Sequence, residues 1–293
     1  MTAPALHPDR PLAESLRAAI ARVLDEARAA LARADGAEAA AIHDFRKSMK
    51  RWRALLRLLE PCIGASATEL RGTARDLARR LATARDAQSA LEALDDLGEA
   101  LPPRTRSAVA ARLEQARRST EAIVLDDAGR EALAAGLAMT ERAVKEWPLD
   151  TVTFAALARS LAATYRRARS AIPADWHKAS ADELHEFRKR VIAHRYQMEL
   201  VEPIWPRLGK LWVAEAQRLR DRLGTYQDLH VLAELTAPGE ILARWHDRLA
   251  APITARQRKH LRAADRLAAR LFAEKQKAFR RRLESLWEAG LGD

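Results

Sequence analysis

The chain of 293 residues holds a single cysteine, Cys62. That excludes an intrachain disulfide and any zinc or redox site built from paired cysteines. Histidine occurs eight times, but no two stand at HxxH or HxxxH spacing and no acidic cluster surrounds His43, so no metal is expected. P-loop and GxSxG patterns are missing, and no glycine-rich turn precedes a helix, which leaves no nucleotide cradle and no activated serine. Three Tyr and five Phe are too few to build stacking platforms for single-stranded nucleic acid. The seven Trp fall mostly on apolar helical positions, as at Trp52, Trp212 and Trp287, where packing accounts for them. No run approaches the roughly 18 apolar residues that span a bilayer, and the first twenty residues lack the basic start and apolar stretch of a signal peptide. These absences predict a cytoplasmic, non-catalytic protein with no cofactor and no membrane contact, and they leave the oligomeric state open.

Glycine and proline are also scarce, at 11 and 12 residues, and Ala, Leu, Arg and Glu dominate, a composition that favours helix. Apolar residues recur at helical spacing almost throughout, with no strand alternation. The chain is therefore expected to be all-α. Stops are expected at Pro61 with Gly64, Pro102-Pro103, Pro148, Pro173, Pro203 with Pro206, Pro238-Gly239 and Pro252. Residues 1–11, with three prolines, read as a flexible tail. A long basic helix is expected from about Thr254 to Ala289.

What the chain has in excess is positive charge. Lys plus Arg number 51 against 40 Asp plus Glu, a net charge of +11. Such an excess favours an anionic partner, or else merely keeps a large surface soluble, and clustering decides between the two. The clustering is visible as a repeat. At an offset of 142 residues, His43, Phe45, Arg46, Lys47, Arg53, Leu58, Glu60 and Pro61 recur as His185, Phe187, Arg188, Lys189, Arg195, Leu200, Glu202 and Pro203. Further on, Leu77, Arg80, Leu81, Thr83 and Asp86 meet Leu219, Arg222, Leu223, Thr225 and Asp228. The ungapped register points to a duplicated unit, with repeats of about 12–148 and 149–290 and a seam near Trp147-Pro148-Leu149-Asp150.

On a helix turning 100° per residue, Lys47, Lys50, Arg57, Arg46 and Arg53 lie within about 80° of His43. Ile42, Phe45, Met49, Trp52, Leu56 and Leu59 gather elsewhere on the circumference, so a cationic stripe runs beside a core stripe for about four turns, or ~24 Å. Like charges three and four residues apart repel by some tenths of a kcal/mol per pair. A solvated helix face usually alternates signs, so an uncompensated row points to a ligand that supplies the counter-charge. Duplication strengthens that reading, because drift replaces idle surface charges more readily than core residues. In the second copy the stripe thins: Ile192 and Ala193 stand where Lys50 and Arg51 stood, while Tyr196 adds a hydroxyl. The first half is thus expected to bind more strongly. Arg79, Arg80 and Arg85, then Arg166 and Arg222, are further candidates from neighbouring helices, since guanidinium forks suit phosphate oxygens.

The segments HDFRKSMKRWRALLRLLEP with ATARD, and HEFRKRVIAHRYQMELVEP with LGTYQDL, resemble the paired signatures of the conserved histidine α-helical domain family, CHAD. The likeness also takes in RSLAATYRRAR and LFAEKQKAF, nearly the whole chain. It implies two four-helix bundles related by pseudo-twofold symmetry. It also implies inorganic polyphosphate bound in a basic groove or pore between them, and association with polyphosphate granules. By position it makes His43, Arg46, Lys47, Lys50 and Arg53, then His185, Arg188, Lys189 and Arg195, the ligand-facing residues. Nothing here resembles the ExExK strand of the CYTH domain that often accompanies this family. Polyphosphate carries about one charge per unit and no base edges, so a cationic cleft without stacking aromatics suffices for it. Nucleic-acid backbones are the competing partner, although no helix-turn-helix, zinc finger or RNA-binding signature is present.

Overall fold

A computed structural model describes residues 5–33, 38–80, 85–120 and 127–290. Within them run α1 (Leu12–Leu31), α2 (Glu38–Ile63), α3 (Ala65–Arg80), α4 (Arg85–Leu97), α5 (Pro103–Thr120) and α6 (Asp127–Lys145). The second half supplies α7 (Phe154–Arg169), α8 (Ala181–Leu200), α9 (Pro206–Glu234), α10 (His246–Leu271) and α11 (Gln276–Ala289). No strand occurs among the described residues, and no described helix is long and apolar enough to cross a membrane. The starts are written locally. The Thr153 hydroxyl accepts from Ala156 N at the head of α7, Ser180 and Glu183 form a capping box on α8, and Pro206 opens α9 where a missing N–H costs nothing.

Two cores organise these helices. In the larger one α1, α2, α3 and α6 pack together, α7, α8, α9 and α11 pack together, and α2 joins the sets through α7 and α8. Its interior runs without a break from Phe45, Met49, Trp52, Leu56 and Leu59 of α2 to Tyr165, Phe187, Leu219, Phe279 and Leu283. Burying each aliphatic or Phe side chain of this kind contributes roughly 1.5–3 kcal/mol. The smaller core is made of Ala90, Leu94, Val109 and Leu113 with Leu229, Leu232, Leu242, Leu249 and Ile253. The halves therefore do not pack as two closed bundles cut at the seam. The α4–α5 pair leaves the first half and packs on the end of α9 and the start of α10 in the second.

Several expected boundaries move, each for an identifiable reason. Pro61 does not stop α2, which continues to Ile63 and ends at Gly64, whose φ of 77° is left-handed. Pro61 cannot donate to the carbonyl of Arg57, and the Ser160 hydroxyl of α7 donates to it instead, at 3.3 Å. Pro252 lies inside α10, not at its edge. The single helix expected over Thr254–Ala289 is broken between Leu271 and Gln276. There α7 holds the chain: Arg169 Nε donates to Phe272 O at 2.9 Å and the Tyr165 hydroxyl donates to Glu274 O at 3.0 Å. The seam is packed, with Trp147 stacked on Trp52 at 6.2 Å and its Nε1 donating to Ser66 Oγ at 3.0 Å. Nor does the segment before α1 hang loose throughout, because Leu6 is fully buried and its N–H bonds Leu200 O at 2.6 Å.

Candidate functional site

The sequence of α2 divides it lengthwise. Phe45, Met49, Trp52, Leu55, Leu56 and Leu59 are buried, His43 and Lys47 are exposed, and Arg46, Lys50, Arg53 and Arg57 lie half-buried along the border. The cationic stripe read from periodicity is therefore present as a surface track. Its far end gathers four arginines. Around Arg57 stand Arg53 of the same helix, Arg71 of α3 and Arg167 of α7. Burial first, then those three cations, push the Arg57 guanidinium down to about 10, with only Glu60 acting the other way. Glu60 is itself occupied, by Arg71 and by the Thr68 hydroxyl at 3.1 Å. Arg57 forms no ion pair among the described residues.

One residue of the second half's α8 reaches that end. Arg190 of α8 donates to the backbone carbonyl of Arg167 at 3.2 Å, and the first turns of α8 carry His185, Arg188 and Lys189. His185 is half-buried, and its ring nitrogen Nδ1 has no partner. Burial, then Lys189 and Arg188, lower its pKa against the weaker pull of Glu186 and Asp182. Lys189 is exposed and paired with Glu186 at 2.5 Å, a surface bridge that contributes little to stability. Arg188 is buried, with its guanidinium laid against Gly224 of α9, where a Cβ would come within 3.1 Å.

The two histidines of the repeat do not meet. Gln197 Nε2 donates to Ala54 O at 3.0 Å, and Arg51 reaches Glu199 at 3.5 Å, so α2 and α8 cross in opposite senses. His43 and His185 lie about 17 Å along their helices on opposite sides of that crossing, at 1.5 Å per residue. No group of three or more potential metal ligands exists among the described residues.

Arg195 and Tyr196 depart from the expected ligand-facing row. Both are buried. Arg195 pairs with Glu199 and lies over the Tyr196 ring at 4.2 Å, while Arg51 bridges Glu26 at 2.9 Å and Glu199 at 3.5 Å. Their charge is answered inside the protein. The repeat shows why: 142 residues on from Arg57 stands Glu199, from Arg71 Val213, and from Asp25 Arg167. One end of the α2–α8 pair is thus a cluster of four arginines, and the corresponding end is closed by carboxylates.

Arg166 is exposed on α7 beside Arg167. Arg222 lies elsewhere, its Nη1 3.5 Å from His260 Nδ1; His260 Nε2 is 2.8 Å from Asp96, which takes two hydrogen bonds from Arg256. That network ties α4, α9 and α10 together away from the track. Arg79, Arg80 and Arg85 lie outside the residues whose side chains are described. Reading by sequence missed Arg71, and it favoured Arg166 over Arg167. Their shared signal is a cation on the side of α3 or α7 facing α2, which periodicity on one helix does not reveal.

The family model for the CHAD domain matches residues 10–237, a match that ends before α10; the chain belongs to the CHAD family. The chain is similar in fold to the crystal structure of the CHAD domain from the plant Ricinus communis, with 21% identity and a TM-score of 0.57. That likeness covers 97% of this chain and 95% of the plant domain. No curated protein matches the chain.

Proposed function

We propose that this CHAD protein binds inorganic polyphosphate without catalysis, along the α2 track and the four-arginine cluster at its end, and that binding brings it to polyphosphate granules. The unit that binds is read as a duplicated one in which the first copy supplies most of the α2 track. One observation carries the reading: Arg53, Arg71 and Arg167 crowd around the half-buried Arg57 at one end of α2, and Arg57 has no ion pair among the described residues. Charges this crowded raise the free energy of the empty protein, and a linear polyanion lying along α2 relieves them one phosphate at a time. Guanidiniums grip phosphate oxygens bidentately while Lys47 follows the chain as a mobile point charge. The track carries no exposed aromatic ring, which suits a ligand without bases.

Salt dependence tests the reading. Polyphosphate affinity is measured over a range of salt for the wild type, Lys47→Ala and Arg57→Gln. Each substitution is expected to flatten the slope of log K against log[salt] by about 0.7–0.9, the loss of one phosphate contact. Slopes identical in all three proteins would remove α2 from the binding surface.

A further inference from the structure

A second cationic surface lies on α10. At 100° per residue, Arg248, Arg258, Lys259, Arg262, Arg266 and Arg270 fall within an arc of about 120° that otherwise holds only alanine and proline. All of these cations are exposed. The opposite arc, with Leu249, Ile253, Leu261, Ala264, Ala268 and Leu271, is buried in the two cores. Arg258, Arg262, Arg266 and Arg270 stand four residues apart and make a slanting row about 18 Å long along the axis, turning about 40° at each step.

Among the described residues no carboxylate pairs with this charge. The nearest acids on the helix, Asp247 and Asp265, sit at the edge of the arc, and among the described residues no ion pair reaches the row. The helix 142 residues earlier behaves differently: on α5, Arg117 and Arg118 pair with Glu114, and Arg112 donates to Gln115. Like charges at four-residue spacing oppose helix formation by roughly 0.2–0.5 kcal/mol per pair. An ordinary solvated face intersperses acids to avoid that cost.

We propose that the outer face of α10 is a second polyphosphate-binding ridge, separate from the α2 track, through which one molecule holds two chains at once. The two surfaces are distinct in the fold, since α10 packs on α9, α9 on α8, and α8 on α2. The outward arc offers no ring to stack on an unpaired base, and a row of cations asks only for closely spaced phosphates, which polyphosphate supplies at about one charge per unit without the bulk of bases. Two separated sites on one protein turn a long polymer into a cross-bridged network, because the second contact is made at high effective concentration. The ridge rests on the polyphosphate reading given above, and the test separates the two.

Four proteins are compared: the wild type, a ridge variant (Arg258→Gln, Arg262→Gln, Arg266→Gln, Arg270→Gln), a track variant (Lys47→Gln, Arg57→Gln) and their combination. Helicity and melting confirm that each is folded. Short-chain polyphosphate is titrated for stoichiometry, and long-chain polyphosphate is followed by light scattering. The wild type is expected to bind at two sites and to scatter, and the ridge variant to bind at one and stay clear. The track variant is expected to keep the ridge site, which the combination loses. A ridge variant that binds and scatters like the wild type would overturn the ridge alone. So would a wild type with one site that the track variant abolishes, or a ridge that takes duplex DNA in preference to polyphosphate. A track variant equal to the wild type, with binding lost only in the ridge variant, would leave the ridge standing and overturn the α2 reading.

Discussion

Replacing Arg57 by Met should stabilise the empty protein and weaken it as a binder. The side chain is largely packed between α2, α3 and α7, and burial with the cations of Arg71, Arg53 and Arg167 holds its pKa at about 10. That depression corresponds to roughly 3 kcal/mol against keeping the charge there. The rim of the cluster is wet, and solvent screening reduces the figure to about 1 kcal/mol. Met fills most of the same apolar volume without the charge, so urea denaturation should show a gain of about 1 kcal/mol, a midpoint higher by about 0.5 M. A charge-assisted contact to phosphate contributes about 1.5–3 kcal/mol, so polyphosphate affinity should fall roughly 10- to 150-fold. The two effects have opposite signs, which separates a binding residue from a structural one. A variant that is less stable than the wild type and binds equally well would refute the reasoning, because Arg57 would then be part of the scaffold.

Glu199→Gln tests the corresponding end of the repeat. It strips the carboxylate from Arg51 and Arg195, which are nearly buried, and should cost about 3 kcal/mol in denaturant while leaving polyphosphate affinity within twofold. His194 is fully buried, accepts from Trp212 Nε1 at 3.1 Å, and is held at about 3 by burial. Its neutral form therefore contributes stability that is complete above the unfolded value and is lost as pH falls below it, about 2 kcal/mol by pH 5. His194→Leu should flatten that loss in urea melts at pH 7 and 5, and an unchanged pH dependence would contradict it. For His185, lowered in the free protein by burial, Lys189 and Arg188, an adjacent phosphate raises the pKa, so binding takes up a proton. Affinity should tighten between pH 8 and pH 6, and His185→Gln should flatten the profile; a flat wild-type profile would mean that this imidazole does not meet the ligand.

The all-helical architecture and the cationic side of α2 were legible because both follow from a period of 3.6 residues, which one helix displays by itself. Helix ends were less legible. Pro61 and the stretch after Leu271 show why: a proline is tolerated when Ser160 serves the orphaned carbonyl, and a helix breaks when Tyr165 and Arg169 hold carbonyls at Phe272 and Glu274. Those partners lie about 100 residues away in the chain. The four-arginine cluster was half legible. Arg53 and Arg57 follow from the stripe, but Arg71 and Arg167 arrive through the packing of α3 and α7. Arg195 misleads because the repeat copies its identity and not its surroundings, and Glu199 one turn later changes its role from ligand-facing cation to buried ion pair. The exchange of α4 and α5 into a core shared with α9 and α10 has no local signature at all.

The most direct test of the central claim is the binding of long-chain polyphosphate at near-physiological salt in competition with an excess of tRNA and duplex DNA. Wild type and an Arg57→Gln, Arg167→Gln variant are compared side by side. Polyphosphate binding that survives both competitors and collapses in the variant is the predicted result. Displacement by tRNA at equal charge, or full binding by the variant, would contradict it.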